Sequence, residues 1–228
     1  MYRPRVTTVM SSPTIDPSEF VALVEPLLER RDAAGLRDLV RARWTRDQLK
    51  AIVHGDHLDA RKVACLALAL VGGDCAIPCL AEQLKSPDKI VNQMAEHALW
   101  SIWLRGGAED ANRELCRGAE ALNRRELNCA TKHFTRAIEA DPSFAEAYNQ
   151  RAITHYLAER YEESIADCQA AIERMPCHFG AWAGMGHCHA HEGRMAEAIK
   201  CYERAIEINP HLDGIEEVLL ELKGQRSE

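Results

Sequence analysis

A 34-residue period in the second half of the chain constrains its fold more than any other feature. With Ala111, Ala145 and Phe179 as first positions, the eighth positions are Gly118, Ala152 and Gly186. The twentieth are Ala130, Ser164 and Ala198, and the twenty-fourth are Phe134, Cys168 and Tyr202. The twenty-seventh are Ala137, Ala171 and Ala205, and the thirty-second are Pro142, Pro176 and Pro210. Small residues at positions eight and twenty let the two helices of a unit approach closely. The residue at twenty-four is expected to fill the gap between neighbouring units, and proline ends the second helix. Such a unit cannot bury its apolar side alone, so the units stack into an open solenoid.

This pattern resembles the tetratricopeptide repeat family, with three tandem copies at 111–144, 145–178 and 179–212 in a block spanning 108–224. The large residue at position four is Tyr148 and Trp182 in the second and third units but Glu114 in the first. Glu114 there suggests that the first unit meets a different neighbour, the helix ending at Arg105. Leu212, Ile215, Leu219 and Leu222 share one helical face, which predicts a capping helix over 212–224.

Upstream, residues 1–16 read as a disordered tail and 17–107 as a helical block. Asp16-Pro17-Ser18-Glu19 reads as a helix start, and Thr45 with Gln48 forms a second capping box. The helix from Ala60 to Val71 stops at Gly72-Gly73, Asp74 opens the next, and Asp88 opens a third that stops at Gly106-Gly107. Asp59 before Val63, the Ala64/Ala67 run, the Gly72–Asp74 turn and Ile77-Pro78-Cys79-Leu80 recur in part from Asp88 through Ala98-Leu99. This segment resembles HEAT-like repeats, including the short type of phycobilisome lyases. Strict alternation is absent, so no strands are expected. The predicted fold is an all-α solenoid, a HEAT-like block followed by three tetratricopeptide units and a cap.

Charge narrows the partners. Residues 108–228 carry 14 Lys+Arg against 22 Asp+Glu, a poor match for a phosphate backbone, so nucleic acid is not expected. No apolar run reaches the roughly 18 residues that span a bilayer, so no membrane partner is expected. The nine cysteines form no CxxC pair and follow no secretory signal, which reads as reduced thiols in a cytoplasmic protein.

In tetratricopeptide stacks the first helix of each unit lines the concave side through its second, fifth, sixth, ninth, twelfth and thirteenth positions. The candidate groove residues on that basis are Asn112, Leu115, Cys116, Ala119, Glu146, Asn149, Gln150, Ile153, Tyr156, Leu157, His187 and His191. Leu115, Ile153, Tyr156 and Leu157 are apolar where solvent is expected. They hold a partner's peptide or helix, or the chain's own N-terminal segment covers them. One subclass of the family grips the terminal carboxylate of chaperone tails with a basic clamp. The corresponding residues here are Leu115, Ala119, Gln150, Gly180 and Gly184, and none is cationic, so that mode is not expected. His187 and His191 stand four apart on one face, but no third ligand follows from spacing, and no metal or cofactor is expected. No GxSxG, HExxH, P-loop or GxGxxG motif occurs, so the expected function is non-enzymatic, an interaction module or adaptor. Two alternatives remain: an accessory of bilin-lyase type, implied by the HEAT-like resemblance alone, and a self-associating scaffold. Oligomeric state is not readable from the sequence.

Overall fold

Helix starts in the N-terminal half follow the capping residues closely. Asp16 accepts hydrogen bonds from the backbone N–H groups of Ser18 and Glu19 and opens α1 (Pro17–Glu29). The chain then reverses at Arg31, whose positive φ of 55° separates α1 from α2 (Ala33–Arg43). Thr45 and Gln48 form a reciprocal capping box for α3 (Arg46–Val53). α4 (Leu58–Val71) is followed by a short 3-10 turn at Asp74–Ala76 and then by α5 (Ile77–Gln83). Asp88 caps α6 (Lys89–Trp103). The structure, a computed structural model, describes residues 15–212 and 214–225. Residues 1–14 of the expected tail lie outside them.

The repeats fold as three antiparallel hairpins: α7 (Glu109–Asn123) with α8 (Leu127–Ala140), α9 (Ala145–Leu157) with α10 (Tyr161–Arg174), and α11 (Phe179–His191) with α12 (Met195–Ile208). A further helix, α13 (Ile215–Gln225), packs on α12 and buries Ile215 and Leu219. The described residues are all helix, turn and coil, without strands, and 78% of them are helical.

Side-chain volume sets the approach within each hairpin. A Cβ on Gly118 would lie 2.4 Å from the Phe134 ring, and one on Gly186 would lie 2.6 Å from the Tyr202 ring. The ring at position twenty-four therefore rests on position eight of its own hairpin, not only in the gap between units. The second unit carries the matching exchange, Ala152 with the smaller Cys168, both buried. Position four fixes one unit to the next. The Tyr148 hydroxyl donates to the Pro142 carbonyl and the Trp182 indole N–H donates to the Pro176 carbonyl.

Glu114 takes no such role; the first unit meets the end of the preceding helix through Asn112, whose amide donates to the Arg105 carbonyl. The Glu114 carboxylate binds His133 Nδ1 of α8 at 2.7 Å and Arg117 at 2.5 Å. These partners, chiefly the His133 hydrogen bond, hold its pKa below the usual glutamate value. A charged residue thus finishes the first hairpin where the later units carry an aromatic.

Each hairpin turn uses a left-handed residue at position fifteen: Arg125 (φ 61°), Glu159 (φ 57°) and Gly193 (φ 73°). The amide of Glu126 then bonds the Ala121 carbonyl, that of Arg160 the His155 carbonyl and that of Arg194 the His189 carbonyl, the paired bonding of a Schellman turn.

All nine cysteines are free thiols. Burial pushes the Cys65 thiol up to about 12 and those of Cys79 and Cys201 up to about 11, so they pack as small apolar groups.

The hairpin volumes generate a paired prediction. Gly118→Ala forces a methyl into Phe134 and lowers unfolding stability in urea by roughly 1–3 kcal/mol. Gly184→Ala meets only Cys168 Sγ at 3.5 Å, an ordinary contact. It is expected to be neutral, or stabilising by up to about 1 kcal/mol through helix propensity. Equal losses in both variants would count against volume as the constraint.

Candidate functional site

The first helices of the three units, α7, α9 and α11, run parallel. Glu146 near the start of α9 meets His178 at the head of α11, and Tyr156 near the end of α9 meets His191 at the end of α11. The concave face these helices form has two halves with different fates.

The half at the helix starts is covered by the chain itself. α6 and the segment after it run along this edge from the third unit back to the first. Trp100 lies edge-on to Phe179 at 5.4 Å, and a Cβ on Gly180 would come within 2.7 Å of the Trp100 ring. Trp103 stacks on His178 with ring centroids 4.3 Å apart and planes inclined by 16°. Asn112 donates to the carbonyls of Arg105 and Gly107, where the chain turns into α7. Asn209, after α12, donates to Glu96 on α6. Phe179 and Ile208 consequently share one continuous apolar core with the helices of the N-terminal block.

Beneath Trp103 lies a buried polar junction. The Glu146 carboxylate accepts from Gln150 Nε2 at 2.6 Å, Asn149 Nδ2 at 3.2 Å and His178 Nε2 at 2.8 Å. The Glu146 and His178 side chains are both fully buried. His178 Nδ1 accepts from the Ala181 N–H as the cap of α11, so the ring proton sits on Nε2 and is donated to Glu146. A buried carboxylate with this many donors is tolerated where an unpaired one is not.

Three candidate groove residues are therefore not available to a ligand. Glu146 and Asn149 belong to this junction, and Leu115 is 2% exposed in the core of the first unit with Phe134 and Phe144. Gln150 is half-buried and spends its amide on Glu146. Asn112 is likewise half-buried and tied to the backbone before α7.

The half at the helix ends is open. Ile153 is 38% exposed and Leu157 41% exposed, high values for branched aliphatic side chains. Ala119 and Tyr156 are half-buried, while Cys116 and His191 are exposed. The Tyr156 hydroxyl and His191 Nε2 are hydrogen bonded at 2.8 Å, and His191 stacks on Tyr161 at 4.9 Å and 11°. His187 Nδ1 and the Tyr202 hydroxyl are bonded at 2.8 Å. The structure thus brings Ile153, Tyr156, Leu157, His187 and His191 together and adds Tyr161 and Tyr202. These two tyrosines escaped the sequence reading because they belong to the second helices of their units. Trp100 and Trp103 escaped it as well, although two indoles three residues apart give α6 one aromatic face. Among the described residues, no group of three or more His, Cys, Asp or Glu is placed to hold a metal ion. No helix among them is long and apolar enough to cross a membrane.

Two predictions concern this region. His178→Ala leaves the Glu146 carboxylate buried without its histidine donor, and unfolding stability in urea is expected to drop by roughly 3–5 kcal/mol. A loss under about 1 kcal/mol, the range of an exposed pair, would contradict the described junction. The second concerns acid. Burial lowers the pKa values of His155, His187 and His189 below 6.5, aided at His187 by the neighbouring His191. Their contribution to stability is complete above pH 6.5 and is lost as pH falls from there toward the lowered folded values, because the unfolded chain takes up the protons first. The melting temperature by circular dichroism should fall between neutral and mildly acidic pH. A triple variant with His155, His187 and His189 replaced by Gln should fall less.

Comparison with known proteins agrees with the hairpin geometry. Tetratricopeptide repeat models match residues 117–176 and 180–212. Anaphase-promoting complex subunit 3 of Schizosaccharomyces pombe is 38% identical over 87 residues, covering 38% of this chain and 13% of that protein. A TPR repeat-containing protein of Rhizobium etli is 28% identical over 134 residues, covering 58% of this chain and 65% of that one. Mouse sperm-associated antigen 1 is 28% identical over 113 residues, 50% of this chain and 12% of its own length. The chain therefore spans less than two thirds of each of these relatives. Among solved structures, the first TPR of Spaghetti (RPAP3) bound to the HSP90 peptide SRMEEVD superposes with a TM-score of 0.51 at 19% identity, over 53% of this chain and 95% of that one. The Sgt2 TPR domain of Aspergillus fumigatus gives 0.51 at 21% identity, over 54% and 82%. These likenesses concern the fold. No catalytic family is indicated. Residues 117–176 and 180–212 of this chain are tetratricopeptide repeats, stacked as a helical-hairpin solenoid.

Proposed function

We propose that the chain is a protein-interaction module that holds a peptide segment of a partner protein on the open half of its concave face. The observation that carries this reading is the exposed apolar strip of Ile153 and Leu157 beside Tyr156, flanked by a covered edge and by hydrogen-bonded histidines. Apolar groups at this exposure gain free energy when a ligand removes them from water, at about 25 cal/mol per Å². Solved relatives of the same fold include one bound to a peptide, which supports a peptide as the class of partner.

The site residues of this reading are Cys116, Ala119, Ile153, Tyr156, Leu157, His187 and His191. The N-terminal helices, read as HEAT-like from their pattern alone, serve as a fixed wall of the groove. The bilin-lyase alternative has no observation beyond that pattern behind it.

Affinity capture from native cells with the wild-type chain, Tyr156→Ala and Leu157→Ala tests the reading. Either truncation should weaken a recovered partner by about 1–3 kcal/mol, roughly 5- to 150-fold in Kd, while the circular dichroism spectrum is retained. Equal recovery by all three proteins would remove the groove as the binding surface. Light scattering over a concentration series separates the self-association alternative, which requires the mass to rise with concentration.

A further inference from the structure

The open half of the groove differs electrically from the covered half. α7, α9 and α11 are parallel, so their carbonyl ends lie together on the open edge. Each end carries a partial charge of about −0.5 from the aligned peptide dipoles. The first turns of α9 and α11, positive ends, lie under α6.

The side chains on this edge do not cancel that field. Arg124 is paired with Glu126 at 3.1 Å. Arg194 is paired with Glu192 and, at 3.0 Å, with Glu162. Arg160 is half-buried and donates to Thr131 of α8. Glu120 faces Arg124 as well, while Arg125 and, on the other side of the balance, Glu159 form no salt bridge among the described residues. The concave positions of the three helices contain no Lys or Arg at all. The tyrosine rings of Tyr156 and Tyr161 stand at the same edge, 5.7 Å apart, and aromatic faces attract cations.

We infer that the segment bound by the open groove is basic: a peptide with Lys or Arg beside an aliphatic residue. The aliphatic side chain covers Ile153 and Leu157, and the cation reaches the Tyr156 ring, the carbonyl ends and Glu159. This rests on the peptide-binding reading above and adds the chemistry of the peptide. An acidic segment would bring its charge to a surface with three negative dipole ends and no cation on its floor.

Selection from a display library of random linear peptides tests it, with the full chain as bait. Wild type, Leu157→Ala, Tyr156→Ala and Glu159→Lys are compared, and enriched sequences are resynthesised for Kd measurement at low and moderate salt. Enrichment of peptides with net positive charge is expected, with binding weakened by Leu157→Ala and Tyr156→Ala, by added salt, and by about 5-fold or more in Glu159→Lys. Enriched peptides that are neutral or acidic, or an unchanged or tighter Kd in Glu159→Lys, would overturn the inference while Leu157→Ala sensitivity leaves the peptide-binding reading standing. If no peptide is enriched, or if binding ignores both Leu157→Ala and Tyr156→Ala, the reading falls together with the inference.

Discussion

The stacking of Trp103 on His178 over the Glu146 carboxylate is the contact on which the rest of the arrangement depends. It joins α6 to the second and third hairpins at a point where all three groups are buried. Hydrogen bonding gives the junction direction as well as energy, because His178 has one ring nitrogen committed to the α11 cap and the other to Glu146. The indole then excludes water from that pair, which strengthens both bonds and makes their loss more costly. With α6 held there, the starts of α9 and α11 are sealed and the helix ends are left free. The shape and the charge of the accessible surface both follow from this single fixed position.

The repeated hairpins were legible in the sequence because their constraint is local. Gly118 with Phe134 and Gly186 with Tyr202 lie sixteen residues apart in each unit, and the pairing of volumes recurs in register. Helix starts at Asp16, Thr45 and Asp88 were legible for the same reason, since a cap acts within three residues. The covering of Glu146 and Asn149 was not. It depends on where a helix about fifty residues upstream comes to lie, and nothing in a 34-residue period encodes that. Glu114 shows the difference within one residue. Its departure from an aromatic was visible, but its partner, His133 in its own hairpin, was not.

The turns between helices were hidden for another reason. Position fifteen requires a left-handed backbone, for which glycine is the usual signal. The third unit supplies Gly193, whereas the first two supply Arg125 and Glu159. A side chain in that conformation costs of order 1–2 kcal/mol, and the Schellman bonds to Ala121 and His155 offset it. Arg31 repeats the arrangement between α1 and α2, with the Asp32 amide bonded to the Leu27 carbonyl. Where side-chain identity and backbone conformation part in this way, composition alone cannot place a turn.

The dimensions of the open strip bear on what can lie in it. Positions nine to thirteen of each first helix are free, which at 1.5 Å per residue is a band only about 6 Å high. Neighbouring helix axes lie about 8–10 Å apart, so three helices give a strip about 20 Å long. A bound helix, about 10 Å across, would overhang such a band on both sides and leave much of its own surface uncovered. An extended segment rises about 3.3 Å per residue, so roughly six residues cross all three helices. Its alternate side chains then fall on the aliphatic floor of Ile153 and Leu157 and on the Tyr156–His191 edge. For the proposed partner, the covered half therefore favours an extended segment over a helical one, through height rather than through any single contact.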